Sequence, residues 1–260
     1  MQPNPPPAYA ELHCLSSFSF QRGASQPEEL VQRAAALGYS ALAITDECSV
    51  AGVVRAHVQV RTEQLKLKLL PGAEFSVPLD SGQRFTAVVL AHNLQGWGNL
   101  CQFVTAARRA APKGQYQVGW QGAANQALWA QLTHCEILLL FPDAMNMEAA
   151  YSVSTGARGL FGSSLWLAAA FHLGTTDALR RVRLQQLSAL SGVPIVATGG
   201  VRIHVRSRKP LHDVMTAIRQ GQPVAQCGFA LQSNAERHLR ARAAGGAVPA
   251  RVAGQHPGNC

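Results

Sequence analysis

Short apolar runs alternate with amphipathic stretches along most of the chain. YAELHC (residues 9–14) alternates as a strand does. PEELVQRAAAL (27–37) spaces its apolar residues as a helix does, with Ser25 or Gln26 as cap, Pro27 in the first turn and Gly38 as the stop. SALAIT (40–45) predicts a short buried strand, and VAGVVRAHVQVRTEQL (50–65) a helix weakened by its valines. Strands are predicted in LKLLPGAEF (67–75) and RFTAVVLAH (84–92), followed by a helix over 96–110 with Leu100, Phe103 and Val104 on one face. A Gly-rich loop over 111–122 leads to a helical ALWAQL (127–132) and a strand CEILLLF (135–141). The Phe and Trp residues of LFGSSLWLAAAFHL (160–173) favour a buried strand. The last elements are a helix over 177–192, a strand PIVATGG (194–200) and a helix over 210–221 stopped by Gly221.

Repetition of strand and helix implies parallel strands covered by helices. No GxGxxG turn opens the first helix, so a barrel is expected rather than an open dinucleotide-binding sheet. The expected fold class is therefore an α/β barrel of about seven parallel strands.

Composition narrows this only at the edges. In 260 residues, 47% are hydrophobic and 14% charged, enough apolar material for a full core and too little charge for disorder. No run approaches the roughly 18 apolar residues of a membrane span, and MQPNPPPAYA lacks the basic and apolar regions of a signal peptide. The six cysteines are scattered with no CxxC pair, as expected of buried thiols in a reducing cytoplasm. A net charge of +9 permits a polyanionic partner without requiring one.

Three polar clusters follow apolar runs: His13-Cys14-Leu15 with Gln21-Arg22-Gly23 after it, Thr45-Asp46-Glu47-Cys48, and Gly72-Ala73-Glu74. In a barrel, such clusters gather at the C-terminal ends of the strands. Together with HVRSRKPLHDVMTAIRQGQPVAQCG (204–228), this wording resembles the N-terminal PHP (polymerase and histidinol phosphatase) domain of error-prone, DnaE-type bacterial DNA polymerases. The resemblance covers residues 9 to about 240 and implies a PHP-type distorted (β/α) barrel. An active PHP rim binds divalent metals through imidazoles and carboxylates, and the metals activate water and hold a phosphate ester.

Against the family's motifs the rim is incomplete. His-x-His becomes His13-Cys14-Leu15, so Leu15 stands where a second imidazole is expected, and Arg22 stands where a further ligand is expected. Thr-Asp-His-Gly keeps Asp46 but carries Glu47 at the histidine. Gly-x-Glu is intact with Glu74. Asp-x-His, within ATGGVRIHV, becomes Gly200 and Arg202, with His204 expected on the same side as Arg202 if the strand stays extended. His92, Asp143 and His172 are candidates for the motif between Glu74 and Gly200. Among the retained residues, His13, Glu47 and Glu74 are the weak metal candidates. The kept residues His13, Asp46 and Glu74 have structural alternatives: His13 as a hydrogen-bonded core histidine, Asp46 as a cap, Glu74 paired with an arginine. The second expectation is that Arg22 and Arg202 neutralise these carboxylates in place of metal.

The resemblance implies a part of an enzyme that performs translesion DNA synthesis after damage, here a non-catalytic structural domain needing no cofactor. The alternative is an active phosphoesterase or 3′-5′ proofreading nuclease using zinc, manganese or magnesium. Arg206, Arg208 and Lys209 are dense enough to contact phosphate, although such a run is also a common solvated loop. Implied partners are the rest of the polymerase, DNA and other translesion-synthesis proteins, in the cytoplasm and with no membrane. The expected organisation is a lead-in over 1–8, the PHP domain over 9–240 and an aberrant, disordered tail over 241–260, where family wording stops and the reading frame or gene is expected to break.

Overall fold

The structure, a computed structural model, describes residues 8–241; the lead-in before residue 8 and the tail beyond 241 lie outside the described residues. Seven strands follow one another in a single curled sheet: β1 (Ala10–Glu11), β2 (Ala41–Ile44), β3 (Lys68–Pro78), β4 (Arg84–Ala91), β5 (Cys135–Leu140), β6 (Leu165–Ala169) and β7 (Ile195–Ala197). Between them run α1 (Pro27–Ala36), α2 (Ala51–Thr62), α3 (Leu94–Arg109), α4 (Ala123–Trp129), α5 (Met147–Phe161) and α6 (Asp177–Ser191), and α7 (Lys209–Gln220) comes last.

The sheet is a distorted barrel, parallel except at β4, which is antiparallel to both β3 and β5. That corrects the all-parallel expectation. The segment joining β3 to β4 is too short for a crossover helix, so the chain must turn back as a hairpin. Its turn is closed by Leu79 N–H donating to the Gln83 carbonyl at 2.8 Å, with Gly82 at φ 80°.

The reversal has a consequence for the rim. β4 ends at the opposite mouth of the barrel, where α3 begins. Asn93 caps α3 by accepting from Gly96 N–H at 3.0 Å. The helix then climbs back, so that Arg108 in its last turn and Tyr116 in the loop after it reach the rim. Phe103 of α3, Trp129 of α4 and Phe75 of β3 pack together, with ring centroids 4.7 Å (Phe103–Trp129) and 4.9 Å (Phe75–Phe103) apart.

A bridge between Cys14 and Val201 closes the seam between the first and last strands. Leu15 N–H donates to the Val201 carbonyl and Val201 N–H to the His13 carbonyl, both at 2.9 Å. Buried Glu11 reinforces the seam by accepting from Thr198 Oγ1 at 2.8 Å and from Gly199 N–H at 2.9 Å. Leu12, Ala43, Val88, Leu90, Leu138, Ala168 and Val196 fill the barrel interior, with partly buried Leu70 of β3 packed against them. The larger core lies outside the sheet, under α3, α5 and α6.

Residues 160–173 are not one strand. α5 runs to Phe161 and β6 begins at Leu165. Over 142–159 the pattern predicts no element, because Ser, Thr and Gly dilute the apolar spacing of α5. Its signals are Asn146, which accepts from Ala149 N–H at 2.7 Å, and buried Ala150, Val153 and Ala157. Among the described residues no helix is long and apolar enough to cross a membrane. Of the described cysteines, Cys14, Cys48, Cys135 and Cys227 are buried and Cys101 is partly so, and all are free thiols.

Candidate functional site

The rim is built where β1, β2 and β3 end. Beyond β2 the chain makes one further bridge to β3, between Glu47 and Glu74, with Cys48 N–H donating to the Glu74 carbonyl at 2.8 Å. This sets the Glu47 and Glu74 side chains close together. Two carboxylates so placed repel each other unless a cation separates them.

The cation is Arg22. Its Nη1 lies 2.5 Å from Glu47 Oε2 and 2.5 Å from Glu74 Oε1. The other Glu74 oxygen, Oε2, lies 2.6 Å from His13 Nε2. Glu74 is almost wholly buried. Burial alone would raise it, but the His13 hydrogen bond and the Arg22 charge outweigh burial and hold its carboxyl well below the usual range. Burial likewise works against charged Arg22, and the two glutamates overcome it, raising its affinity for the proton.

The loop that delivers Arg22 is fixed at both ends. Arg22 N–H donates to the Ser19 carbonyl and Ala24 N–H to the Arg202 carbonyl, both at 2.9 Å. Asp46 locks the same loop from below. It accepts from Ser16 N–H at 2.8 Å, Ser16 Oγ at 2.7 Å and Ser19 Oγ at 2.6 Å. Burial nonetheless pushes the Asp46 carboxyl up, against these hydrogen bonds. α2 packs close over it: a β-carbon on Gly52 would stand 2.3 Å from Asp46 Oδ2, so only glycine fits there. Asp46 therefore organises backbone and serine hydroxyls instead of facing the rim. Glu47 also accepts from Tyr116 at 2.9 Å, and its carbonyl accepts from Arg108 at 3.2 Å.

Leu15 is buried and supplies no donor atom. Gly200 sits at φ 56°, a left-handed backbone that favours glycine, and it too supplies no side-chain donor. Arg202 faces the cavity beside the network but makes no hydrogen bond to a carboxylate among the described residues. His204 turns away from Arg202, because the chain bends there and its Nδ1 lies 2.8 Å from Ser25 Oγ. Of the three candidates for the missing motif, His172 lines the rim cavity, with Nε2 2.8 Å from the Gly199 carbonyl. Burial, with the Arg237 charge next, depresses His172 to about 3, so it is neutral. Asp143 is engaged by Arg180 at 2.6 Å and 2.8 Å. His92 lies at the opposite mouth, beside an apolar cavity of about 610 Å³ with Trp97 and Trp166.

The basic run is less free than its sequence suggests. Arg206 pairs with Glu236 at 2.8 Å, Arg208 with Glu29, and Lys209 with Asp213 at 2.5 Å. The carboxylates come from α1, α7 and the segment before Arg237, and only the fold brings most of them to the run.

A divalent cation needs several donors turned to one point. Here His13 Nε2 and Glu74 hold each other, and Arg22 occupies the space between the glutamates. His13 Nδ1 is buried without a partner. Among the described residues, no group of three or more His, Cys, Asp or Glu side chains is arranged to hold a metal ion.

The fold is a distorted α/β barrel with its polar residues gathered at one rim. The PHP domain family model matches residues 11–148, just over half of the chain, and the chain belongs to that family. Curated relatives include the error-prone DNA polymerases of Ralstonia nicotianae, 45% identical over 244 residues, and Methylococcus capsulatus, 46% identical over 234. These alignments cover 91% and 89% of this chain but only 22% and 21% of those polymerases. The chain thus spans about a fifth of the length of the curated relatives it matches. Among solved structures, it is similar to a metal-dependent phosphoesterase from Bifidobacterium adolescentis (TM-score 0.52, 16% identity, 75% of this chain and 88% of that one). It is also similar to an amidohydrolase from Chromobacterium violaceum with bound sulfate and no metal (TM-score 0.54, 15% identity, 74% and 86%). These likenesses carry the fold.

Sequence reasoning missed Glu11, Arg84, Tyr116, Arg180 and Arg237 as members of the seam or rim. Arg237 lies in NAERHLR, which carried family resemblance but no motif position. Glu11 stands two residues before the His13 motif but outside it, and Arg84, Tyr116 and Arg180 come from segments with no motif near them.

Proposed function

We propose that this chain is the PHP portion of an error-prone DNA polymerase and that it serves as a non-catalytic structural domain with a disarmed metal site. The single observation that carries this is the Arg22 guanidinium seated between Glu47 and Glu74. A dication beside such a group loses about 8 kcal/mol at 4 Å and an effective dielectric near 20. The internal ion pair supplies the charge balance that metals supply in an active PHP rim, and it leaves no donor set for them.

The identity to error-prone polymerases supports the wider role: a scaffold for the rest of the polymerase in damage-induced translesion synthesis, with DNA and other translesion proteins as further partners. Elemental analysis of the purified chain, before and after incubation with zinc or manganese, tests the disarmed site. The expected result is no stoichiometric metal. Tightly held zinc or manganese at one or more ions per chain overturns it and restores the phosphoesterase or nuclease reading.

A further inference from the structure

The rim cavity holds about 370 Å³ and is lined with positive charge. Arg84, Arg180, Arg202 and Arg237 face it, with His13, His172 and Glu74. Two of these arginines already have acceptors. Arg180 is held by Asp143, and Arg84 donates from Nε to Ser76 Oγ at 3.0 Å. The carboxylate on the wall, Glu74, is taken by Arg22 and His13.

Arg202 and Arg237 are left over. Neither side chain has a hydrogen-bond acceptor among the described residues, and Arg237 Nε is buried without a partner. Burial first, then the nearby Arg22 charge, pull Arg202 down to about 9; burial, then Arg180, pull Arg237 down to about 10. Both remain charged at neutral pH. Gly200 lies beside the cavity, where a β-carbon would make ordinary contacts of 3.5 Å with Arg237 Nη1 and 3.6 Å with His172 Nε2. Glu74 attracts both from a distance, but two desolvated guanidinium groups without hydrogen-bond acceptors remain an unfavourable arrangement until an anion joins them.

From this we infer that the cavity is a metal-independent oxyanion site for a phosphate-type group, held directly by Arg202 and Arg237 with Arg84 and Arg180 adding positive potential. The inference rests on the disarmed-rim reading, since a dication would need the space and charge that these arginines occupy. A guanidinium offers a planar fork of donors that matches two phosphate oxygens, which an ammonium or a neutral amide does not. Free phosphate, pyrophosphate and the terminal phosphate of a nucleic acid share this chemistry.

Titration calorimetry and thermal melting of the full chain in excess chelator test the site, with inorganic phosphate as the first probe. Phosphate should bind and raise the melting temperature, while chloride at matched ionic strength should not. Arg237→Met and Arg202→Met should each weaken phosphate binding by about tenfold or more. The phosphate-free Arg237→Met protein should melt higher than wild type, because like-charge repulsion is removed; a merely structural arginine would give the reverse. Arg61→Gln, exposed on α2 and outside the cavity, should leave binding unchanged. A 5′-phosphorylated oligonucleotide and its unphosphorylated twin distinguish a free from a nucleic-acid source: preference for the phosphorylated strand, or binding of phosphate and pyrophosphate alone, each supports the site. Absence of any phosphate-specific heat or melting shift in the metal-free wild type overturns it, whether or not the variants fold. Phosphate binding that requires added zinc or manganese overturns both this inference and the disarmed-rim reading. A metal-free protein that ignores phosphate overturns the inference alone.

Discussion

Arg22 Nη1 stands 2.5 Å from Glu74 Oε1 although the two residues are 52 positions apart, and Glu74 is the more deeply buried of the pair. Because Glu47 lies equally close, one guanidinium joins two carboxylates that the β2–β3 bridge forces together. The ion pair is the charge balance of the rim.

Removing the guanidinium should therefore cost more than a surface pair would. Arg22→Met leaves buried Glu74 facing Glu47 with His13 still bonded to it but its guanidinium partner gone, and breaking such a buried pair costs about 3–5 kcal/mol. The expected outcome in urea denaturation is a loss of about that size. The double variant Arg22→Met with Glu74→Gln should recover part of it. Additive losses would show that the two side chains are not coupled.

The depressed carboxyl of Glu74 sets an acid-side dependence. Its folded pKa lies well below the unfolded value of about 4.3, so its stabilising effect is complete above that value. As pH falls from there toward the folded pKa, the unfolded chain takes up the proton first and stability drops. Glu74→Gln should flatten the stability profile below about pH 4.5 relative to wild type. Parallel profiles for the two proteins would place the acid sensitivity elsewhere.

Ser19 joins two parts of the rim through one hydroxyl. It donates to Asp46 Oδ1 at 2.6 Å and accepts from Glu47 N–H at 2.9 Å. Ser19→Ala removes a hydrogen bond to a buried carboxylate and leaves a backbone N–H unpaired. The expected cost is about 2 kcal/mol by thermal or chemical melting. Retention of wild-type stability would mean that water replaces the hydroxyl at no cost.

On its own the chain should not extend a DNA primer. Nucleotidyl transfer needs carboxylates holding two metal ions beside the primer end and the incoming triphosphate. The rim's carboxylates are instead committed to Arg22, His13 and serine hydroxyls. A gel-based extension assay with the purified chain should show an unchanged primer, and templated elongation would refute the assignment of a structural role.

Local sequence was enough for most elements, because apolar spacing and caps act over a few residues. Pro27 and Glu28 start α1, Gly221 stops α7, and the β-branched and leucine-rich runs of β2 and β5 read as buried strands. The motif positions were legible too, since His13, Glu47 and Glu74 follow strands, and in a barrel strand ends meet at one rim. The direction of β4 was expected to be parallel, although the short Asp80-Ser81-Gly82 turn carried the opposite signal; α5 was hidden by its small residues. Pairing was beyond any local reading. That Arg22 would reach Glu74 while Arg202 stays without a carboxylate depends on the loop that Asp46 and two serines hold. The freedom of Arg237, and the neutralisation of Arg206, Arg208 and Lys209, depend on segments far away in the chain. Sequence by itself determined which charges this rim carries. Only the tertiary structure decided which charges cancel and which remain, because long-range electrostatic balance is set by distances of a few ångströms between residues that the chain order keeps apart.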